Sequence, residues 1–511
     1  MSARIVITLD IGGSGVKASA YDARRGANVA SVIARYPADP GAEPGTFSPD
    51  TWWSAAVRGC REVADLTGAA AGDYLGITVS AIRIPFVLVD RDREVVLPSL
   101  LNRDRRAAGQ VGVLTRAFGE QPLYETTGHW AAPEFGLPKL LWIRETYPEA
   151  WRAVATILQL HDWFIYKLSG TLVSEPSSAA MSQLMDIKAG GWAGDLLAAV
   201  DVPASMLPPV RPAGAAAGTL LPQVAAGTGL PSGLPVHVGG GDTHLSALAA
   251  GALTEPVPVV VAGTTGPAQL AVPRGDGPGG FAGYYPLLVS EQPLTRNWVL
   301  ESNAGPTGEI VDRLAGFPAA AGDELRGALA AQGFEVRPGP TEAETTQAAA
   351  EADLLVLAGN PFFGPDGWEV WPPPAVVGLR PGHRGADVRA AALRGTCLAF
   401  AAIVAQLRER SATDPEAIVA AGGMSANPDW NAMLADAAGR PVRVRPPGRL
   451  AGLAGAALVA GPDVLAVLDQ VEATVYLPGR PERASGRYLE QFRAAQHRMR
   501  PGEAGSRAGA H

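Results

Sequence analysis

The stretch RIVITLDIGGSGVKASAYD, residues 4–22 of a 511-residue chain, decides how the fold begins. Two runs of mostly apolar residues, 4–10 and 16–22, flank a turn of small residues at 12–15. The second run is too short for a helix before the polar turn that follows it, so the pattern predicts a β-hairpin. A dinucleotide-binding fold needs a helix directly after such a turn and is therefore excluded.

The turn at 12–15 has the composition of a phosphate site. Its backbone N–H groups could converge on phosphate oxygens, with Lys17 adding a positive charge. A plain hairpin turn is the alternative, and it is the more common meaning of a single glycine-rich turn. The chain contains no GxxxxGK[ST] motif, which excludes a P-loop nucleotide site.

The composition excludes several classes of protein. The net charge is −8, from 42 basic and 50 acidic residues, which argues against a general nucleic-acid binder. Cys60 and Cys397 are the only cysteines, so no disulfide framework or zinc spacing is available. The N-terminus lacks the apolar core of a signal peptide, and the charge-free runs 212–241 and 256–273 are interrupted by Gly, Pro and Thr. We therefore expect a cytoplasmic protein without a membrane span.

The layout of the first hairpin returns in the middle of the chain. A strand at 256–262, a turn at 263–266 and a strand at 268–272 repeat it. The repeat predicts two α/β domains that each begin with a phosphate-sized turn. The predicted boundaries are 1–253, 254–497 and, for a flexible tail, 498–511.

Other elements follow from periodicity and turn chemistry. A helix should begin at Pro49, after the N-cap residue Ser48, and bury Trp53, Ala56, Val57, Cys60, Val63 and Ala64. The remaining predicted strands are 75–80, 85–90, 235–240 and 416–421. The remaining predicted helices are 138–147, 153–168, 243–252, 388–410 and one that begins at 428.

The junction Gly239-Gly240-Gly241-Asp242 joins a predicted strand to a predicted helix. Its bare glycines let a ligand approach the backbone closely. Asp242 has two interpretations that the sequence leaves open. It is either a helix N-cap worth roughly 1 kcal/mol, or a carboxylate kept ionised by the helix N-terminus and able to accept a hydroxyl proton.

A second junction of this kind ends in Asn427-Pro428, which is a strong N-cap signal. Its alternative function uses the two bare glycines Gly422 and Gly423 as a surface for an adenine or ribose. The Asn427 amide would then hydrogen bond to the edge of the base.

Together these segments resemble the FGGY carbohydrate kinases, the family of xylulokinase and glycerol kinase, from about residue 4 to about residue 495. In chain order the similar segments are LDIGGSGVKASAYD (9–22), NRDRR (102–106, with Asn102 in place of a tryptophan), PKLLWIRETYPEAW (138–151), HDWFIYKLSG (161–170), SEPSSAA (174–180), GGGDTH (239–244), VAGTTG (261–266), AAGGMSANPDWNAMLAD (420–436) and GLAGAALVAG (452–461). The resemblance implies an α/β, two-domain actin-like ATPase (ribonuclease H-like) fold with an interdomain cleft for ATP and sugar. It also implies that the last segment is a helix that closes the second domain.

The resemblance assigns roles to individual residues. It implies ATP and Mg²⁺ as cofactors, Asp242 as the general base and Asp10 as the residue that orients the metal. The implied ATP-binding residues are Gly13, Ser14, Lys17, Gly263, Thr264, Gly308, Gly422, Gly423 and Asn427. The implied partner is a small sugar or polyol, with no nucleic acid or membrane, and a homodimer is left open. The alternative is a non-catalytic nucleotide-binding regulatory protein of the actin-like fold.

The acceptor region departs from the family pattern. Ile82-Arg83-Ile84 stands where xylulokinases carry Gln-Met-His and glycerol kinases carry Gln-Arg-Glu. The expected substrate-binding residues are Arg83, Ile84, Asp104, Glu134 and Asp242. Arg83 either binds adjacent hydroxyls or a carboxylate of the acceptor, or pairs with a carboxylate such as Asp104. A ketopentose, or a sugar with one deoxygenated carbon against Ile84, is the expected acceptor.

Overall fold

The structure is a computed structural model, and the chain in it divides into two compact units. The first unit comprises Met1–Leu253, Ala271–Val299 and Arg449–Glu472, and the second comprises Thr254–Leu270, Leu300–Gly448 and Ala473–His511. The residues that the structure describes are 4–37, 43–252, 256–275, 287–293, 295, 297–317, 320–337, 354–358, 373–411, 413–444, 450–461, 473–479 and 492–493. The predicted tail, 498–511, lies outside them.

The described strands, in chain order, are β1 (Ile5–Ile11), β2 (Gly15–Asp22), β3 (Ala27–Arg35), β4 (Thr46–Phe47), β5 (Tyr74–Ala81), β6 (Phe86–Val89), β7 (Ser99–Leu100), β8 (Thr156–Gln159), β9 (Met185–Asp186), β10 (Gly191–Trp192), β11 (Ala216–Thr219), β12 (Pro235–Gly241), β13 (Val259–Val261), β14 (Pro267–Val272), β15 (Leu288–Glu291), β16 (Trp298–Asn303), β17 (Glu335–Arg337), β18 (Leu355–Leu357), β19 (Ala375–Val377), β20 (Ile418–Ala421), β21 (Val442–Val444) and β22 (Thr474–Tyr476).

The described α-helices are α1 (Pro49–Thr67), α2 (Ala108–Phe118), α3 (Glu120–Thr127), α4 (Gly136–Thr146), α5 (Pro148–Ala153), α6 (Leu160–Ser169), α7 (Pro176–Met181), α8 (Gly194–Ala199), α9 (Pro222–Thr228), α10 (Asp242–Ala247), α11 (Thr307–Ala315), α12 (Gly322–Ala331), α13 (Gly385–Ser411), α14 (Pro428–Ala438) and α15 (Leu450–Ala460). A wider helical turn, Leu248–Ala252, continues α10.

Strand β1 is central to the sheet of the first unit, whose order is β11–β12–β5–β1–β2–β3. It pairs antiparallel with β2, which confirms the predicted hairpin, and β2 pairs antiparallel with β3. On its other side β1 pairs in parallel with β5, and β5 pairs in parallel with β12. The carboxyl ends of β1, β5 and β12 therefore meet at one edge of the sheet.

The sheet of the second unit repeats this layout, and β13 takes the place of β1. It contains the run β16–β14–β13–β20–β21–β22. Strand β13 pairs antiparallel with β14 and in parallel with β20, and β20 pairs in parallel with β21. The outer pairs also correspond, because β21 is antiparallel to β22 as β12 is to β11. The repeat predicted from the two hairpins is confirmed.

Helix α1 packs against the first sheet with a face that matches the predicted one only in part. The predicted Trp53, Val57 and Ala64 are half-buried. Trp52 is instead fully buried and stacks on Phe47 with ring centroids 4.7 Å apart. Because this contact with the preceding strand orients the helix, the two following turns bury Ala56, Cys60 and Val63, as predicted, and also Ala55 and Gly59.

Helix α15 packs on the first sheet, although the sequence placed it at the end of the second domain. A Cβ on Gly452 would lie 2.9 Å from both Thr8 Oγ1 and Tyr21 Oη. Only glycine lets the helix backbone come this close to β1 and β2. The contact is a tertiary one, and the segment has no nearby sequence signal that would reveal it.

Strand β15 also belongs to the first unit. The Val289 N–H donates a hydrogen bond of 3.0 Å to Gly128 O. Through such contacts and those of α15, segments 271–299 and 449–472 join the first unit. The structure therefore differs from the division into two continuous domains that the sequence predicted.

The predicted helix at 153–168 is wrong in its first part. Strand β8 occupies Thr156–Gln159 and pairs antiparallel with β6, and helix α6 begins only at Leu160. All four residues of β8 are buried. A short, mostly apolar run does not distinguish a buried strand from a helix, and the pairing with β6 decides the outcome.

Among the described residues, helix α13 is long and apolar enough to cross a membrane by length and composition. However, 72% of its most apolar stretch is buried inside the protein. Its Phe400 ring meets Trp430 edge-to-face at 5.9 Å, and the Cys397 thiol donates to Trp430 O. These contacts are those of a packed core helix.

Candidate active site

The register of four neighbouring strands places the candidate polar residues of the first unit side by side at one edge of the sheet. Asp10 on β1 lies opposite Lys17 on β2 and opposite Ser80 on β5. Ser80 in turn lies opposite Gly240 on β12, and Asp242 follows where β12 ends. Parallel pairing thus brings together two carboxylates that are far apart in the sequence.

Asp10 lies in a region where its ionised form is disfavoured. Burial first, and then the negative charge of Asp242, raise the pKa of Asp10 to about 6 from 3.8. The charge of Lys17 and a 3.2 Å hydrogen bond from the Ser80 hydroxyl to Asp10 Oδ1 oppose this shift. The two carboxylates are therefore close enough for their repulsion to matter.

Asp242 is the first residue of α10, and the N-cap residue is Gly241. Of the two interpretations of Asp242, the N-cap is therefore not the one observed, because the helix begins directly after β12 and the backbone of Asp242 is already helical. Its Oδ1 accepts hydrogen bonds from the N–H and the hydroxyl of Thr243, at 2.7 and 3.1 Å. A carboxylate in the first turn of a helix is still favoured in its ionised form.

The turn after β1 is closed by its own backbone and held by one side chain. The Gly12 N–H donates to Gly15 O at 3.1 Å, and the Tyr36 hydroxyl donates to Gly12 O at 2.9 Å. Gly13 and Ser14 are exposed, and a Cβ on Gly13 would meet no atom within 4 Å. Packing does not require a glycine at this position, so a bare backbone there fits the predicted phosphate site.

The carboxylates of the first unit fit a magnesium ion. In the described part of the chain, no group of three or more His, Cys, Asp and Glu side chains could hold a metal. Mg²⁺ needs fewer protein ligands, because it usually keeps several waters and binds one or two carboxylates together with substrate phosphates. The repulsion that helps raise the pKa of Asp10 is a charge imbalance that a cation beside Asp10 and Asp242 would relieve.

Arg83 lies beside the residue that precedes Asp242. A Cβ on Gly241 would lie 2.7 Å from Arg83 Cδ, so the arginine stem covers that glycine. The Arg83 Nη1 is 3.3 Å from His244 Nδ1, and His244 Nε2 is 2.6 Å from Ser290 Oγ. The guanidinium is thus held next to the start of α10.

Ile84, the next residue, has an unusual backbone. Its φ is +89°, and its side chain is 9% exposed. A positive φ is strained for a β-branched residue. Strain of this kind is concentrated at functional sites, where the surrounding structure holds it in place.

Asp104 and Glu134, the other predicted substrate-binding residues, are both engaged in ion pairs. Arg106 Nε lies 2.9 Å from each carboxylate oxygen of Asp104, and Arg105 Nε lies 3.0 Å from Glu134 Oε1. The nearby Lys139 is buried and donates to a backbone carbonyl. Burial lowers the pKa of Lys139 to about 7, against the opposing effect of the two carboxylates. Three buried charged residues, Asp104, Glu134 and Lys139, thus form one cluster with the half-buried Arg105 and Arg106.

The second unit contains a cavity of about 520 Å³, which is a typical volume for a small-molecule site. The residues that line it are Ala262, Gly263, Thr264, Gly308, Val311, Asp312, Leu393, Gly423, Met424, Asn427 and Trp430. Five residues predicted to bind ATP therefore surround one cavity, namely Gly263, Thr264, Gly308, Gly423 and Asn427.

Close backbone contacts build this cavity. The Gly308 N–H donates to Gly263 O at 3.0 Å, and a Cβ on Gly308 would lie 2.3 Å from that oxygen. Gly422 has φ +90°, and a Cβ there would lie 2.5 Å from Ala262 O. Gly423, in contrast, faces open space. Gly308 and Gly422 are thus required by packing, whereas Gly423 leaves room for a ligand.

Asn427 caps helix α14, as predicted. Its Oδ1 accepts from the N–H groups of Asp429 and Trp430, at 3.0 and 3.3 Å. These bonds use only the carbonyl oxygen of the amide, and the Nδ2 group is a separate donor. Capping and ligand binding are therefore compatible functions of one side chain.

Several residues of these sites were not predicted from the sequence. They are Tyr36 and Ser80 in the first unit and Val311, Asp312, Leu393, Met424 and Trp430 in the cavity. Ser80 carried a signal, because it ends the predicted strand 75–80 and parallel pairing sets it beside Asp10. The cavity residues on α11 and α13 had no such signal in the sequence, since only tertiary packing brings these helices to the turns after β13 and β20.

Two family models match the chain in sequence. The N-terminal domain of the FGGY family of carbohydrate kinases matches residues 5–249, and its C-terminal domain matches residues 288–462. The chain belongs to the FGGY family of carbohydrate kinases. The resemblance seen in the sequence motifs is confirmed, because both domains of the family are matched in the expected order.

Individual FGGY relatives show how far the similarity extends. The chain is 31% identical over 264 residues to the xylulose kinase of Bacillus subtilis (52% of either chain), and 32% identical over 226 residues to the autoinducer-2 kinase of Klebsiella pneumoniae (43% of this chain and 42% of the relative). It thus spans about half the length of the curated relatives it matches. The crystal structure of xylulose kinase from Rhodospirillum rubrum matches with a TM-score of 0.76 and 25% identity, over 96% of this chain and 97% of the other. The predicted fold class is confirmed.

We predict that Asp10→Asn raises the thermal stability of the protein at pH 7.5. The pKa of Asp10 is higher in the folded state than in the unfolded state, so its contribution to stability is complete below about pH 3.8 and is lost as pH rises through about 6. A shift of about two pKa units corresponds to at most about 3 kcal/mol. Thermal unfolding at pH 7.5 and pH 5 should show a gain for the variant that shrinks at the lower pH. A lower melting temperature at pH 7.5 would contradict the assigned environment of Asp10.

Proposed function

We propose that this FGGY protein transfers the terminal phosphoryl group of ATP to a hydroxyl of a small sugar or polyol in the cytoplasm. The observation that carries the proposal is the Asp242 carboxylate, half-buried at the end of β12, near Asp10 and next to the Arg83–His244 pair. Membership of a family of carbohydrate kinases supports the same reaction class.

In this proposal Asp242 is the general base. It accepts the proton of the acceptor hydroxyl as the hydroxyl oxygen forms a bond to the terminal phosphorus and the bond to ADP breaks. Its position in the first turn of α10 favours the negatively charged form, which a base requires. The bonds from Thr243 occupy Oδ1 and hold the carboxylate in a fixed orientation.

We assign the adenosine part of ATP to the cavity of the second unit. Gly423 offers an open face for the base or ribose, and the Asn427 Nδ2 group is the proposed donor to the base. The proposed phosphate contacts are Gly13, Ser14 and Lys17 in the first unit and Gly263, Thr264 and Gly308 in the second. Asp10 would hold Mg²⁺, which neutralises phosphate charge when it is bound.

For the acceptor, we propose a pocket in the first unit around Arg83 and Ile84. The Arg83 fork can bind two adjacent hydroxyls or a carboxylate, while Ile84 adds an apolar wall that discriminates weakly between substrates. The buried residues Asp104 and Glu134 would form a polar part of the same pocket. A ketopentose or a sugar with one deoxygenated carbon fits this chemistry, and the relatives named xylulose kinase and autoinducer-2 kinase support testing both classes.

The decisive experiment measures ADP release from ATP in the presence of added acceptors. The panel should contain ketopentoses, deoxyketohexoses, polyols, sugar acids and autoinducer-2. A kinase releases ADP only with an acceptor and forms one equivalent of sugar phosphate. A non-catalytic nucleotide-binding protein would bind ATP with no acceptor-dependent ADP release for any member of the panel.

We predict that Asn427→Asp weakens nucleotide binding without lowering the stability of the protein, whereas Asn427→Ala lowers both the nucleotide affinity and the stability. Asp and Asn are about equal as N-caps, and replacing the cap by Ala costs roughly 1 kcal/mol. Asp lacks the Nδ2 donor, so the base would lose its partner. ATP titration calorimetry and thermal unfolding measure the two effects. Equal ATP affinity in the wild type and Asn427→Asp would remove Asn427 from the nucleotide site.

We predict that Asp242→Asn lowers kcat by roughly 10²–10⁴-fold, the usual cost of losing a general base, with little change in ATP affinity. The matched control is Asp195→Asn, because Asp195 is also in the first turn of a helix, α8, but is exposed. Both variants lose a favourable interaction with the helix dipole. Near-normal turnover of Asp242→Asn, in rate assays with the best acceptor, would reject Asp242 as the base.

We predict that Arg83→Ala raises the KM of the acceptor at least tenfold while the KM of ATP stays constant. Asp104 is engaged by another arginine, because both of its carboxylate oxygens accept from Arg106 Nε. Arg83→Lys serves as the control, since it keeps the charge and loses the fork. If Arg83→Ala lowers only the melting temperature and leaves acceptor kinetics unchanged, the pocket lies elsewhere.

A further inference from the structure

The strand that carries Asp242 is irregular just before it ends. The pairing of β12 with β5 shifts between His237 and Gly240. At the shift the backbones touch, because a Cβ on Gly239 would lie 1.7 Å from Val79 O. A bulge of this kind interrupts the regular ladder of backbone hydrogen bonds and re-aims the residues that follow it.

Two buried side chains accept the backbone N–H groups at this irregular strand end. The Gly239 N–H donates to His161 Nε2 at 3.0 Å, and the Gly241 N–H donates to Ser177 Oγ at 3.1 Å. His161 and Ser177 are 1% and 0% exposed, so water does not compete for these bonds. A buried N–H without an acceptor costs about 1–3 kcal/mol, so these side chains stabilise a backbone path that the sheet alone does not hold.

The Ser177 acceptor is itself fixed in orientation. Its hydroxyl donates to Glu175 Oε2 at 2.6 Å, and the same oxygen accepts the Ser178 N–H at 3.1 Å as the cap of α7. With its proton committed to Glu175, the Ser177 oxygen presents a lone pair to the Gly241 N–H. The chain of contacts therefore runs from the buried Glu175 carboxylate through Ser177 to the N–H of Gly241, the residue before Asp242.

His161 is fixed in the same manner. Its Nδ1 is 3.0 Å from Asp162 Oδ1. Because Nε2 accepts the Gly239 N–H, the ring proton is on Nδ1, where it is donated to Asp162. Helices α6 and α7 thus each supply one acceptor that a carboxylate orients, and the two acceptors hold N–H groups two residues apart.

We propose that Ser177, oriented by Glu175, is a positioning residue for the general base, and that it acts by fixing the backbone of Gly241, the residue that precedes Asp242. Neither Ser177 nor Glu175 needs to touch the substrate. The inference rests on the proposed role of Asp242 as the base. Its consequence is kinetic, because a misplacement of about 1 Å in a catalytic group can lower the rate by about 10²-fold.

The test compares Ser177→Ala with Ser178→Ala, a matched control one residue further along α7. Ser178 is 2% exposed, and only its backbone N–H joins the network, so its side chain can be removed without loss of an acceptor. Glu175→Gln is the conservative variant, because an amide oxygen can still accept from Ser177 and Ser178. Thermal unfolding establishes that each variant folds.

Two readouts are needed. Amide hydrogen exchange, resolved by residue, should be faster at Gly241 and Thr243 in Ser177→Ala, and unchanged in Ser178→Ala. Steady-state kinetics with the best acceptor should show kcat lowered by about 10- to 100-fold in Ser177→Ala, with an unchanged KM for ATP. Ser178→Ala and Glu175→Gln should stay within a few-fold of the wild type.

Unchanged exchange at Gly241 in Ser177→Ala would overturn the proposal, whatever the kinetics. Faster exchange with normal kcat would also overturn it, because the network would then hold the strand without positioning the base. If the wild-type protein transfers phosphate to no acceptor, the proposed kinase function fails. The exchange data then still decide, independently, whether Ser177 fixes the Gly241 peptide.

Discussion

The parallel pairing of β1 with β5, and of β5 with β12, is the constraint on which the first unit depends. It sets Asp10, Ser80 and Gly240 in one line across three strands and leaves Asp242 at the shared edge. The hairpin partner β2 adds Lys17 from the other side of β1. Because strand register permits no intermediate positions, this arrangement of charges follows from the way in which the sheet is paired.

The same arrangement of charges lowers the stability of the folded protein, but it places the groups that the proposed phosphoryl transfer needs. Asp10 is held where burial and the charge of Asp242 disfavour its ionised form, and Ile84 is held at a backbone angle that a β-branched residue rarely adopts. Such local conflicts persist only where the surrounding structure determines them. In the first unit they lie at the carboxyl edge of the sheet, where the proposed base, metal ligand and acceptor arginine lie.

Backbone contacts made possible by glycine recur in both units. Gly239 lies against Val79 O in the first sheet, and Gly422 and Gly308 lie against Ala262 O and Gly263 O in the second. These glycines shape the strand ends without providing chemistry. Where the strand end is irregular, as at Gly239 and Gly241, buried side chains complete the hydrogen bonds that the ladder lacks. The backbone of this strand end is therefore held in part by residues such as Ser177 that lie outside the glycine-rich motifs.

The sequence by itself determined the hairpin at 4–22, its repeat near 260, the cap at Asn427 and the order of the FGGY motifs, because each depends on residues that are close together in the chain. Tertiary structure alone decided the rest. It turned the face of α1 toward Trp52, made 156–159 a strand, placed α15 on the first sheet and brought α11 and α13 to one cavity. It also engaged Asp104 with Arg106. These outcomes depend on contacts between segments that are distant in the sequence. Local patterns of hydrophobicity and turn residues carry no information about the energies of such contacts.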